Sequence, residues 1–331
     1  MERVLTMLLA GGAGSRLHPL TLKRAKPAVP FGGTFRIIDI ALSNCINSSL
    51  RRIYVLTQHR AFLLTRHIRY AWSFLPPELG EFIETMPPPM ETAAVWYRGT
   101  ADAVYQNARS IRDEGLPYCL VLAGDHVYKM NFSELLSRHV ETGAGVTVCT
   151  TRVPLSEASR FGILHTDTDG RVIGFIEKPS SVPGFVGGER DTCQASMGIY
   201  LFSTPVLLDA LETDAVREGS THDFGRDLLP DLISRGEVST FEFAEAGDNR
   251  LRYWRDIGTL QSYYDAHLDL LATTPPFDMH DRDWPIRTSH QFYPPAKLID
   301  GPPKGRNRIE NALISPACVL TGCVLKRCVL G

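Results

Sequence analysis

No apolar run in this chain is long enough to cross a bilayer. A secretory leader is not expected either, because Glu2 and Arg3 charge the N-terminus at once and Val4–Leu9 is better used as a first strand. A basic surplus is also missing. The 35 Lys and Arg against 37 Asp and Glu leave a net charge of −2, which argues against nucleic acid as a main partner. Seven cysteines, an odd number without a CxxC pair, predict reduced thiols and a cytoplasmic setting. The ten histidines are scattered without metal-ligand spacing. Two familiar phosphate loops are excluded as well. The glycine-rich turn after the first strand has no Lys-Ser/Thr pair behind it, as a P-loop would, and Leu17 stands where a dinucleotide fingerprint needs Gly or Ala.

With 331 residues, 44% hydrophobic and 22% charged, the chain can build a substantial core and more than one domain. Strand-like runs at 4–10, 52–58, 118–124 and 145–153 alternate with helical patterns. After Arg36 the apolar residues Ile37, Ile38, Ala41, Leu42, Cys45 and Ile46 keep to one helical face. Ala101, Val104, Ala108 and Ile111 predict a helix over 101–111 with Thr100 as its N-cap. Alternation of this kind predicts an α/β fold, a Rossmann-like and mostly parallel sheet with its ligands beyond the carboxyl ends of the strands. Gly11–Gly14 and Asp125 both fall at such ends and are expected to be neighbours.

The Pro- and Gly-rich stretch 272–305 reads as a linker after an α/β domain over 1–271. Over 306–331 apolar pairs return at 313–314, 319–320, 324–325 and 329–330, the short-period pattern of a left-handed parallel β-helix. Cys318, Cys323 and Cys328 then read as packing residues rather than metal ligands. The tail stops within its first coils, so a longer natural protein is expected.

Gly11, Gly12 and Gly14 let the backbone turn tightly and bring its N–H groups to a phosphate or base, and Arg16, Lys23, Arg24 and Lys26 add fixed positive charge close by. The apolar run at Val121 delivers Asp125 to a strand tip, and Tyr253–Thr259 carries Asp256. A divalent cation could be held by such carboxylates, but by these two only if the fold joins them. In Phe175-Ile-Glu-Lys-Pro179, an extended segment would point Glu177 and Lys178 to opposite sides. His222 is expected to be structural.

The stretch GGAGSRL followed by KP at 26–27 resembles the signature GGxGxRL…KP of the sugar-phosphate nucleotidyltransferases. KRAKPAVPFGGTFRIIDIALSNCINS (23–48), WYRGTADAV (96–104), LAGDHVYKM (122–130), FIEKP (175–179), ASMGIY (195–200), HDFGRDLLP (222–230), YWRDIGTL (253–260) and DRDWPIRT (281–288) extend the likeness nearly end to end. They favour the branch of that family that uses ATP and glucose 1-phosphate for glycogen synthesis.

The resemblance implies a catalytic trio of Arg16, Lys26 and Asp125, with Mg²⁺ on Asp125 and Asp256. It implies ATP held by Gly11, Gly12, Gly14, Arg16 and Lys26, with Gln58, Gly99 and Thr100 near the base. Glucose 1-phosphate would meet Tyr97, Gly162, Glu177, Lys178, Ser196 and Asp223. Lys23, Arg24 and Arg36 match basic residues associated with phosphorylated effectors, and the full-length form would be a homotetramer. A relative using UTP, dTTP or GTP is the rival enzyme reading. A non-catalytic regulatory subunit is the other rival, and it would be expected to have lost some of Arg16, Lys26, Asp125, Lys178 and Asp256, all of which are present.

Overall fold

The computed structural model describes residues 1–89, 96–167, 171–181, 191–245, 250–289, 292–301 and 305–331. The first half runs β1 (Val4–Leu9), β2 (Pro30–Phe31), β3 (Phe35–Arg36), α1 (Ile37–Asn47), β4 (Arg52–Leu56), α2 (Phe62–Ala71) and β5 (Phe82–Met86). Next come α3 (Thr100–Tyr105), α4 (Ala108–Glu114), β6 (Tyr118–Ala123), β7 (His126–Tyr128), α5 (Phe132–Thr142) and β8 (Val146–Pro154). The chain continues through β9 (Gly162–Thr166), β10 (Val172–Glu177), β11 (Thr192–Ser203), α6 (Thr204–Ala215) and α7 (Leu229–Ser234). It ends with β12 (Val238–Glu242), β13 (Trp254–Asp256), α8 (Leu260–Asp269), β14 (Lys297–Ile299), β15 (Arg308–Ile314), β16 (Val319–Thr321) and β17 (Val324–Leu330).

A nine-stranded sheet follows the order β10-β9-β11-β6-β1-β4-β5, with β8 on β11 and β12 on β8. The pairings make seven strands run one way and only β10 and β11 the other, so the sheet is mostly parallel. Its strands read as continuous apolar runs because both faces are covered. Val4, Leu8, Ile53, Val55, Leu120 and Leu122 pack with α1, α2 and α5 on one face. Leu5, Met7, Leu56, Cys119 and Val121 pack with α3, α4, α6 and α7 on the other. The alternation along β1 and β6 is the period of two that a strand imposes.

Register sets where the chemistry can sit. Leu9 pairs with Leu56 on one side and with Ala123 on the other. The carboxyl ends of β4, β1 and β6 are therefore level, and the segments after them emerge side by side.

The helix expected over 101–111 is two helices. The Asn107 amide donates to Ala103 O at 2.8 Å and to the Tyr97 hydroxyl at 3.2 Å, a side-chain competition that interrupts the helix between Tyr105 and Ala108. Thr100 is not the cap either. Gly99 holds that position, and His222 O accepts from Ala101 N and Asp102 N. The Thr100 hydroxyl instead reaches Asp223 Oδ2 at 2.9 Å and accepts from Phe224 N.

Within 272–305, residues 290–291 and 302–304 lie outside the described residues. The part at 281–288 is stitched to α1. Trp284 Nε1 donates to Asn44 Oδ1 at 2.8 Å, Arg287 N to Ser43 Oγ at 2.8 Å and Thr288 Oγ1 to Asp39 Oδ2 at 2.7 Å. At the C-terminus β14 pairs with β16 and β15 with β17, both parallel, which is the start of a β-helix.

Candidate active site

Three segments meet at the level strand ends. The first is the glycine loop after β1. Gly14 has φ +63, and a Cβ there would lie 3.1 Å from both Lys26 Cβ and Thr21 Cγ2, so both backbone and space demand glycine. Gly14 also caps the short turn Ser15–Leu17, which leaves Arg16 exposed while Leu17 anchors in the core. A Cβ on Gly11 would touch Gln58 at 3.1 Å, whereas nothing lies within 4 Å of one on Gly12. The loop is open on that side.

The second segment follows β6 and carries Asp125 into β7. The third is β13, which pairs antiparallel with β7 so that Asp256 faces His126. That two-stranded ribbon is how two aspartates far apart in sequence come together. Lys26, buried in the turn Lys26–Ala28, stands between them. Its Nζ lies 2.6 Å from Asp125 Oδ2 and 3.4 Å from Asp256 Oδ1. Burial pulls the Lys26 pKa down, but the two carboxylates outweigh it and leave it raised. Burial likewise opposes the Asp125 charge, yet Lys26 and then His126 prevail and hold its pKa below the ordinary carboxylate range.

Beyond β9 and β10 lie the other candidate site residues. Glu177 Oε2 is 2.8 Å from the position of a Cβ on Gly162 and 2.8 Å from one on Gly225, so the carboxylate fits only because both are glycine. Lys178 does not point away from Glu177 as extended alternation predicts. Its φ of +47 breaks the alternation, and its Nζ folds back onto Glu177 Oε1. Ser196 is buried at an irregularity of β11, where its Oγ accepts from Gly198 N at 3.2 Å and donates to the Tyr200 hydroxyl. Gln58 Nε2 reaches Tyr97 O at 3.5 Å, which brings the two near the glycine loop. Asp223 is heavily engaged: Oδ1 accepts from Gly225 N and Arg226 N, and Oδ2 from Thr100. His222 is buried against Asp214 at 2.8 Å, a structural pairing.

A glycine loop, a lysine shared by two aspartates and a glutamate seated between two glycines describe a nucleotidyl transferase centre, and the nucleotidyl transferase family matches residues 5–273. The glucose-1-phosphate adenylyltransferase of Koribacter versatilis is 47% identical over 331 residues, all of this chain and 79% of that protein. Glucose-1-phosphate adenylyltransferase 2 of Alkalilimnicola ehrlichii is 48% identical over 99% of this chain and 78% of its own length. The Rhodopirellula baltica protein of the same name is 46% identical over 100% and 75%. The chain belongs to the glucose-1-phosphate adenylyltransferase family.

Nucleotidyltransferases of this kind work with a divalent metal, and the donor set here suits one. Among the described residues Asp125, His126 and Asp256 offer ligand atoms within 4.8 Å of one another, and it is His126 Nε2 that faces the carboxylates. Two carboxylates with one imidazole fit a hard or borderline cation. His126 is the residue that sequence reasoning missed. Histidine spacing carried no signal and the pairing with Asp256 is set by the fold, so only its place beside Asp125 could have pointed to it. The tail cysteines are free and part-exposed, and none joins this group.

Of the basic residues matched to effector sites, Lys23 is exposed, while Arg24 and Arg36 line a separate cavity of about 1220 Å³. His67 and Arg287 join them, with Ser315 and Cys318 from the β-helix start. Burial, and then neighbouring Arg24, lowers the Arg36 pKa. No membrane-spanning helix occurs among the described residues.

Proposed function

We propose that this site transfers the adenylyl group of ATP to α-D-glucose 1-phosphate, giving ADP-glucose and pyrophosphate for glycogen synthesis in the cytoplasm. The observation that carries the reading is the convergence of Lys26, Asp125 and Asp256 beside an open glycine loop. In this reading the backbone at Gly11, Gly12 and Gly14 cradles phosphates, with Arg16 and Lys26 supplying charge. Gln58, Gly99 and Thr100 border the base. Tyr97, Gly162, Glu177, Lys178 and Ser196 receive glucose 1-phosphate, and Asp223 shapes that pocket by holding Thr100 and the 225–226 turn.

A sugar phosphate has a second pKa of about 6, so near neutral pH it is largely a dianion and attacks the α-phosphorus without a general base. The obstacle is charge. Two unit charges ~4 Å apart interact by ~4 kcal/mol at an effective dielectric near 20, and several are involved here. Arg16, Lys26 and Lys178 therefore act by neutralising and positioning the two polyanions. Mg²⁺ held by Asp125 and Asp256, with His126 alongside, would supply the remaining positive charge on the leaving pyrophosphate.

The test is pyrophosphate release by the purified chain with Mg²⁺ and glucose 1-phosphate, comparing ATP, UTP, dTTP and GTP. Strong preference for ATP is expected. Preference for another nucleotide overturns the adenylyl reading, and absence of activity with any overturns the catalytic one. The arginine-lined cavity supports phosphorylated effectors as ligands of Arg24 and Arg36, with a homotetramer as the working assembly. Arg24→Gln should abolish the response to such effectors while sparing basal turnover.

A further inference from the structure

Two demands compete for Lys26. The triphosphate reading needs its ammonium free to meet phosphate, yet Nζ lies 2.6 Å from Asp125 Oδ2 and 3.4 Å from Asp256 Oδ1. Those carboxylates belong to the same donor group as His126, whose Nε2 is 3.4 Å from Asp125 Oδ1 and 3.8 Å from Asp256 Oδ1. Asp256 Oδ1 therefore faces the lysine and the imidazole at once. An ammonium and a divalent cation cannot share that space, because both seek the same oxygen lone pairs and repel each other at such range.

The backbone of Lys26 gives no freedom to step aside. Ala25, Pro27, Ala28 and Val29 around it are all buried, and Gly14 packs so closely that a Cβ there would lie 3.1 Å from Lys26 Cβ. Only the outer carbons of the side chain can swing. Left without an anion, the buried ammonium would be uncompensated, which is costly. A phosphate arriving at the open side of the glycine loop would give it a new partner.

We propose that Lys26 is a placeholder cation: in the free protein it holds Asp125 and Asp256, and it is released to the nucleotide phosphates when a divalent cation takes the carboxylates. Metal and nucleotide then bind as a coupled pair, each weak without the other. The inference rests on the reading of Asp125 and Asp256 as metal ligands.

The test is Mn²⁺ binding to the full chain without nucleotide, followed by the electron paramagnetic resonance of free Mn²⁺. Lys26→Met and Lys26→Gln should bind Mn²⁺ about tenfold or more tighter than the unmodified protein, ~1.4 kcal/mol. A non-hydrolysable ATP analogue should raise affinity in the unmodified protein and much less in the variants. A measurement that needs no variant is acylation of the Lys26 amine, mapped by mass spectrometry. Mn²⁺ alone should speed it, and Mn²⁺ with the analogue should suppress it.

Asp125→Asn separates the two levels of the argument. If that variant binds Mn²⁺ as well as the unmodified protein does, the carboxylate reading fails and this inference with it. If Asp125→Asn loses Mn²⁺ while the Lys26 variants match the unmodified protein and acylation does not respond, the placeholder role alone is overturned.

Discussion

Gly162 offers a substitution whose effect can be worked from geometry. A Cβ at this position would lie 2.8 Å from Glu177 Oε2 and closer still to Phe175 Cζ, both inside the 3.0 Å that real Cβ atoms respect. The Phe175 ring packs on the hydrophobic cluster beneath α6 and α7, and Gly225 closes the other side of the Glu177 carboxylate. The strain of Gly162→Ala is therefore divided between a confined ring and a displaced carboxylate. Overpacking of this kind costs about 1–3 kcal/mol of stability. If Glu177 accepts a hydrogen bond from the sugar, losing that charge-assisted bond adds about 1.5–3 kcal/mol, or roughly 10–150-fold in kcat/KM for glucose 1-phosphate. KM for ATP should stay within about twofold, since uniform loss would indicate global damage. Initial rates of pyrophosphate release at varied glucose 1-phosphate and saturating ATP, with urea denaturation of the same preparations, measure both effects. An unchanged denaturation midpoint and an unchanged glucose 1-phosphate KM together would refute the packing argument and the role of Glu177.

Asp125→Asn should lower turnover by at least about 100-fold while shifting the melting temperature little, because Lys26 keeps Asp256 at 3.4 Å; near-normal turnover at saturating Mg²⁺ would remove Asp125 from the chemistry. His139 is buried between Thr147 Oγ1 and Ser203 Oγ, and burial pushes its pKa from 6.5 down to about 4. The unfolded chain then binds more protons between these values, so stability should fall as pH drops from 6.5 toward 4, by at most about 3 kcal/mol. His139→Gln should flatten that part of a pH series of urea melts, and an identical slope would show that His139 is not its source. Asp39 is fully buried, with Oδ1 accepting from His67 Nε2 and Trp72 Nε1 and Oδ2 from Arg36 N and Thr288 Oγ1. Either orientation of an amide in Asp39→Asn sets its NH₂ against one obligate donor, Trp72 Nε1 or Arg36 N, so about 1–3 kcal/mol should be lost in denaturant melts; no loss would mean these bonds do not hold the junction.

What could be read from the sequence follows from how local each feature is. β1 and β6 were legible because strands covered on both faces show as unbroken apolar runs, and the structure ends them at Leu9 and Ala123, each one residue short of the expected limit. Asp125 was legible for the same reason, as the first acid past a buried run. The meeting of Asp256 with His126 was not, since antiparallel pairing of two three-residue strands leaves no periodicity in either. Thr100 looked like a cap because it precedes an apolar helical face, but His222 O satisfies the first N–H groups from more than a hundred positions away. The fold-back of Lys178 onto Glu177 depends on a positive φ at a non-glycine residue, which composition does not announce.

The strap at 281–288 matters to the site through a single buried amide. Asn44 Oδ1 accepts from Trp284 Nε1 on the strap and from Met130 N, while its Nδ2 donates to Tyr128 O at the end of β7. β7 is the strand that presents His126 and fixes the register of Asp256. One asparagine on α1 thus holds the strap on one side and the β7–β13 ribbon on the other. The strap also supplies Pro285–Ser289 to the arginine-lined cavity. A ligand that drew Arg287 or Thr288 inward would pull on Ser43, next to Asn44, and on Asp39, under two turns from it on the same helix. The strap that borders the cavity and the β7–β13 ribbon are therefore tied to the same helix, through Asp39, Ser43 and Asn44.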